Sequence, residues 1–203
     1  MRTLVLILSM SVFPLGGFAQ GIVDFSNGPT TPAMYYPWDA YWNGGGGPIS
    51  GPVGSWYFGL LISSSPAGPF VFSGVYATNT ARAGRFSGGH NVSVPGWESG
   101  VIMSFEVAGW SASLGAGFNP QWLNQYPCGG LFAVSAIGTG AAGGPGQNGA
   151  PYPPLPLFGG TGIYPGMIFA EIPEPCCLAV AGLGLGAFLI SRRRNQRLKD
   201  VSI

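Results

Sequence analysis

The chain has 203 residues, among them 36 glycines and 19 prolines, and only 7% of its residues are charged. Eight basic and seven acidic side chains leave a formal net charge of +1. So sparse a basic set leaves no stripe for nucleic acid. Two of the three cysteines are adjacent near the end of the chain, which excludes a disulfide within the long segment before them.

Residues 1–19 read as a secretory signal peptide. Arg2 is the positive start, residues 4–8 and 10–13 are the apolar core, and Pro14 breaks it. Gly17 and Ala19 place small residues at the −3 and −1 positions of a cleavage site, so the mature chain is expected to begin at Gln20. A retained anchor would need a longer apolar stretch. No cysteine follows the cleavage site, so lipidation there is not indicated.

Residues 20–172 form the exported body, long enough for one domain with its own core. Its only basic residues are Arg82 and Arg85, against Asp24, Asp39, Glu98, Glu106 and Glu171, a net of −3. The near-neutral total hides this because the other basic charges sit mainly in the tail. Cys128, the body's one cysteine, reads as a buried thiol.

Period-2 segments recur in the body between Gly, Pro, Ser and Asn breaks. Residues 22–26 predict a first strand. Residues 56–62 place Trp56, Phe58, Leu60 and Ile62 on one face, and residues 70–76 bring Phe70, Phe72 and Tyr76 together. Residues 101–110 put Val101, Met103, Phe105 and Val107 on an apolar face, with Ser104 and Glu106 on a wetter one. The near-continuous apolar run 131–137 predicts a central strand, and residues 167–172 a last one. Short strands without intervening helices predict an all-β fold, an antiparallel β-sandwich or jelly-roll-like ectodomain.

Three connections stand out. Residues 34–43 gather Tyr35, Tyr36, Trp38, Tyr41 and Trp42 beside Asp39 and Asn43, a composition suited to stacking on sugar rings; the alternative is an aromatic loop folded onto the sandwich edge. Residues 44–47, all glycine, read as a flexible connector. Residues 138–156 read as a Gly/Pro-rich loop. Its Gly138-Thr139-Gly140-Ala141-Ala142-Gly143 matches a dinucleotide fingerprint, but Gly144-Pro145-Gly146 stops the helix that fingerprint requires. Asn91-Val92-Ser93, a formal glycosylation sequon, is read as chance.

Little in the body suggests catalysis. The single histidine, His90, lies in a glycine turn beside Ser87, and no G-x-S-x-G or metal-spaced His/Cys/Glu cluster occurs. Glu98, in a turn, and Glu106, mid-strand, are the one candidate carboxylate pair. We therefore expect no catalytic residues, no metal and no cofactor.

The tail has its own order. Pro173-Glu174-Pro175 is held extended by its prolines. Residues 176–191 form an apolar helix, and Arg192, Arg193 and Arg194 open a basic stop that holds residues 192–203 on the cytoplasmic side. Sixteen residues at about 1.5 Å each span about 24 Å, less than a hydrocarbon core of about 30 Å. Gly182, Gly184 and Gly186 soften the helix further, by roughly 1 kcal/mol each. Gly182 and Gly186 also form a G-x-x-x-G pair able to pack two helices. A short, soft span suits a transient stay better than a permanent anchor, which is the alternative.

Residues 173–203 resemble a PEP-CTERM sorting signal of Gram-negative bacteria, with Pro173, Glu174 and Pro175 as the recognition triplet and Arg192, Arg193 and Arg194 as the stop. The resemblance implies an exosortase, a membrane-embedded cysteine transpeptidase, as partner. It also implies transient residence in the inner membrane, then processing and delivery to the cell surface, the outer membrane or the medium. The Cys176-Cys177 pair departs from the pattern and would, if lipidated, favour an anchored product. More loosely, residues 21–27, 54–62 and 101–110 resemble the strands of recurrent PEP-CTERM proteins. The leading expectation is a non-enzymatic component of the surface or of an extracellular polysaccharide matrix. The alternatives are a carbohydrate-binding module using the aromatic segment and, third, a secreted hydrolase.

Overall fold

The computed structural model describes residues 20–37, 45–125, 127, 129–146, 150–160 and 162–170. The signal peptide, Trp38, Tyr41, Trp42, Cys128, the Pro173-Glu174-Pro175 triplet, the apolar run and Arg192–Arg194 lie outside them. The described chain is all-β, with two short 3-10 turns and no α-helix.

Eleven strands follow in order: β1 (Gln20–Ser26), β2 (Ala33–Tyr36), β3 (Gly47–Pro48), β4 (Trp56–Ser63), β5 (Val71–Asn79), β6 (Phe86–Glu98), β7 (Ile102–Ser111), β8 (Phe132–Val134), β9 (Gly138–Ala141), β10 (Leu155–Pro156) and β11 (Met167–Ala170). The larger sheet runs β10-β1-β6-β5-β4-β7-β8, and β9 also pairs with β7. The smaller runs β11-β2-β3. Most pairs are antiparallel, but β1 with β10 and β2 with β11 are parallel, so both sheets are mixed, not purely antiparallel as expected.

The alternation in β4 places Phe58, Leu60 and Ile62 in the main core, joined by Val23 and Phe25 of β1 and Phe105 and Val107 of β7. The small sheet closes this core. Phe169 of β11 packs its ring 4.8 Å from Trp56 and 6.3 Å from Phe58. Gly109 permits that approach, since a Cβ there would lie 2.6 Å from Phe169 Cζ.

The other face of β4 and β7 is buried too. Leu61, Ala108, Trp110 and Phe132 form a second cluster, covered by the excursion 112–131 through Leu114, Phe118 and Trp122. Trp110 Nε1 donates to the Gly115 carbonyl at 2.9 Å, fixing the cover. Phe72 and Tyr76 meet here at 4.8 Å, and Phe70 packs on the same cluster, as their spacing predicted. The expected wetter face of β7 is therefore corrected: Ser104 is buried and Glu106 half-buried, because a polar-looking stripe lies beside a second apolar layer.

Four further expectations change. The run 131–137 is no central strand. It breaks after Val134, where Ser135 Oγ accepts the Val107 N–H at 2.9 Å, and β8 and β9 then line one edge of β7 in succession. The expected loop 138–156 contains β9 and β10, linked to β1 by the Ile22–Gly143 bridge and the β1–β10 pair. The expected glycine turn around His90 lies inside β6, and Glu98 closes that strand instead of sitting in a turn.

Candidate functional site

The β5–β6 hairpin turn, residues 80–85, carries both arginines of the body. Its backbone is closed by Thr80 N–H to the Arg85 carbonyl at 2.8 Å and Arg85 N–H to the Arg82 carbonyl at 3.1 Å. The turn is also tied to the smaller sheet: Ala33 N–H donates to the Gly84 carbonyl at 2.9 Å, and Gly84 N–H to the Ile49 carbonyl at 2.7 Å.

Beneath the turn, Asn27 is buried at the end of β1. Its Nδ2 donates to the Thr31 carbonyl at 2.9 Å and the Gly84 carbonyl at 2.7 Å, while Oδ1 accepts the Phe86 N–H at 2.8 Å. One amide thus joins the first strand, the turn and the start of β6. Asn79 does the same on the far side: it accepts from Gly54 and Trp56 N–H and donates to the Gly51 and Pro52 carbonyls. Buried amides persist where every polar atom finds a partner, and both do.

Along β6 the pairing with β1 slips between Val23 and Phe25, where Gly89 has φ 116° and Asn91 φ 54°. This bulge swings His90 outward. Asp24 Oδ1 accepts the Asn91 N–H at 3.2 Å and lies 3.3 Å from His90 Nδ1. The imidazole is mostly exposed, and Ser87 Oγ accepts the Gly89 N–H at 3.3 Å. No hydrogen bond joins Ser87 to His90 among the described residues, so these three side chains are not arranged as a proton relay.

Turn, strand end and bulge enclose an open cleft of about 450 Å³. Arg82, Arg85 and His90 line it together with the hydroxyl residues Ser26, Thr80 and Ser87. The arrangement offers guanidinium forks beside hydroxyls on a fixed floor, a donor-rich surface fit to receive an oxyanion.

Of the residues singled out by sequence, His90 and Ser87 line this cleft, Tyr35, Tyr36, Glu98 and Glu106 are not among its lining residues, and Trp38, Tyr41 and Trp42 lie outside the described residues. Tyr35 and Tyr36 are consecutive in β2 and so point to opposite faces. Tyr35 packs on the main core and Tyr36 is exposed, so the two offer no common stacking platform. Glu98 is exposed, while burial alone pushes the Glu106 carboxyl above its ordinary value, with no second carboxylate as a cause. Among the described residues no group of three or more His, Cys, Asp or Glu could hold a metal, and no helix is long and apolar enough to cross a membrane. The cleft escaped sequence reading because its cations are brought together only by a hairpin turn and a bulge. The T-x-R-x-x-R spacing across the turn was the available signal. The chain matches no known family model, no curated protein and no solved structure.

Proposed function

We propose that this chain is an exported protein handled through a PEP-CTERM-type tail, and that its β body serves as a non-enzymatic component of the cell surface or of an extracellular polysaccharide matrix. The observation that carries the reading is the order of residues 173–203: a Pro-Glu-Pro triplet, an apolar run short of a full bilayer, then Arg192, Arg193 and Arg194. Pro173, Glu174 and Pro175 are the elements a membrane sorting peptidase would read.

The fold of the described residues is compatible with it: the small sheet packs sandwich-like on the large one around a shared apolar core. The same body could be released or re-anchored after processing.

Glu174→Ala tests the reading in the source cell. Export should continue, and the full-length form should accumulate in the inner membrane at the expense of the processed one. Unchanged processing of this variant would remove the triplet from the account.

A further inference from the structure

We propose that the cleft between the β5–β6 turn and the β6 bulge binds the carboxylate of an acidic sugar, so that the body grips a uronate-containing polysaccharide. The inference rests on the export reading above, since only an exported body meets such a chain.

Four observations carry it. The body's two arginines and the protein's single histidine converge on this one cleft, although they make up all of the body's candidate cations. Apart from these two arginines the body's charged residues are five acidic ones, and its net of −3 gives no diffuse electrostatic reason for both guanidiniums to sit together. Neither guanidinium has an acidic partner among the described residues, and the Asp24 carboxylate is engaged by His90 and the Asn91 N–H. The floor is rigid: the turn is closed by its own backbone bonds and held from below by Asn27. A fixed backbone leaves only the side chains to be ordered on binding.

The ligand class follows from what surrounds the charge. An arginine fork matches a planar carboxylate with two parallel hydrogen bonds. Ser26, Thr80 and Ser87 put hydroxyls at the same rim, where a sugar ring presents hydroxyls of its own. At about 450 Å³ the cleft lies in the range of small-ligand sites, about 300–1,000 Å³, and it is open to solvent, so a polymer can pass through it. Inorganic phosphate shares the oxyanion chemistry but not the ring hydroxyls. Two arginines are too few to hold a polyphosphate backbone against a body of opposite net charge.

The full-length chain in neutral detergent is titrated calorimetrically with oligogalacturonate, with dextran oligomers of equal length and with inorganic phosphate. Binding of oligogalacturonate alone, weakening as salt rises, is expected. Arg82→Gln/Arg85→Gln should lower that affinity by roughly tenfold or more, the scale of one charge-assisted bond. Arg82→Lys/Arg85→Lys should keep the charge and restore only part of it, because the fork is lost. Arg82 is exposed and Arg85 half-buried, and an unchanged thermal midpoint certifies the fold of each variant. Equal binding of phosphate, equal binding of dextran, or affinity unaffected by the glutamine pair would each overturn the assignment. A failed titration with tail processing intact would remove the cleft alone. Absence of processing would remove the sorting-tail reading whatever the titration gives.

Discussion

Replacing Asn27 by alanine isolates the contact on which both the fold and the cleft depend. Asn27 is 3% exposed, and its amide makes three side-chain hydrogen bonds to Thr31, Gly84 and Phe86. The losses are unequal. The Gly84 carbonyl keeps the Ala33 N–H, so it remains satisfied. The Phe86 N–H loses its acceptor, and the Thr31 carbonyl loses the Asn27 donor. One orphaned buried donor costs about 1–3 kcal/mol, and with a partly orphaned carbonyl the total comes to about 3 kcal/mol. That is a large share of a domain stability of about 5–15 kcal/mol. For a domain of this size it corresponds to a fall of about 6–12 °C in Tm. Urea unfolding followed by tryptophan fluorescence should show a lower midpoint with an unchanged slope, and hydrogen exchange at the Phe86 amide should speed up. A loss below about 1 kcal/mol would refute the reasoning, since water from the adjoining cleft would then replace the amide at little cost.

Two further outcomes follow from packing and burial. Gly109→Ala places a Cβ 2.6 Å from Phe169 Cζ and 2.9 Å from Met167 Cε, so the smaller sheet must shift, at a cost of about 1–3 kcal/mol; an unchanged midpoint in thermal unfolding would contradict that close approach. Burial raises the Glu106 pKa in the folded state, so the stability linked to its protonated form is present below the unfolded pKa and is lost as pH rises through the folded one. Glu106→Gln should therefore be more stable than the parent at pH 7, and the advantage should shrink as the medium is acidified through the carboxylate range. Urea midpoints at pH 7 and at about pH 4, near the ordinary carboxylate value, check this, and an equal advantage at both would rule out desolvation as the cause.

The strands that the sequence exposed are those whose side chains alternate against one apolar layer. Trp56, Phe58, Leu60 and Ile62 announce β4 because every second residue meets the main core. β7 is equally legible, with Phe105 and Val107 on the main core, but its other face is not wet as expected: the second layer over Trp110 comes from Phe118 and Trp122, which lie in a stretch with no strand period. β6 was hidden for a different reason. Gly89 and Asn91 look like turn residues, and they are needed instead for the positive φ values of a bulge inside a strand. β9 reads as Gly-Thr-Gly-Ala, a loop by composition, yet Gly138 and Gly140 leave space for Phe105 and Leu155. The parallel β2–β11 pair joins residues more than a hundred positions apart, and no local pattern encodes it. The cleft depends on the same long-range events.

The most direct test of the account is the intact mass of the protein recovered from outside the cytosol of its source cell. The account predicts a species that starts at Gln20 and has lost Arg192, Arg193 and Arg194 along with the apolar run before them. A mature species that still carries those arginines would contradict it and leave a plainly anchored β-protein.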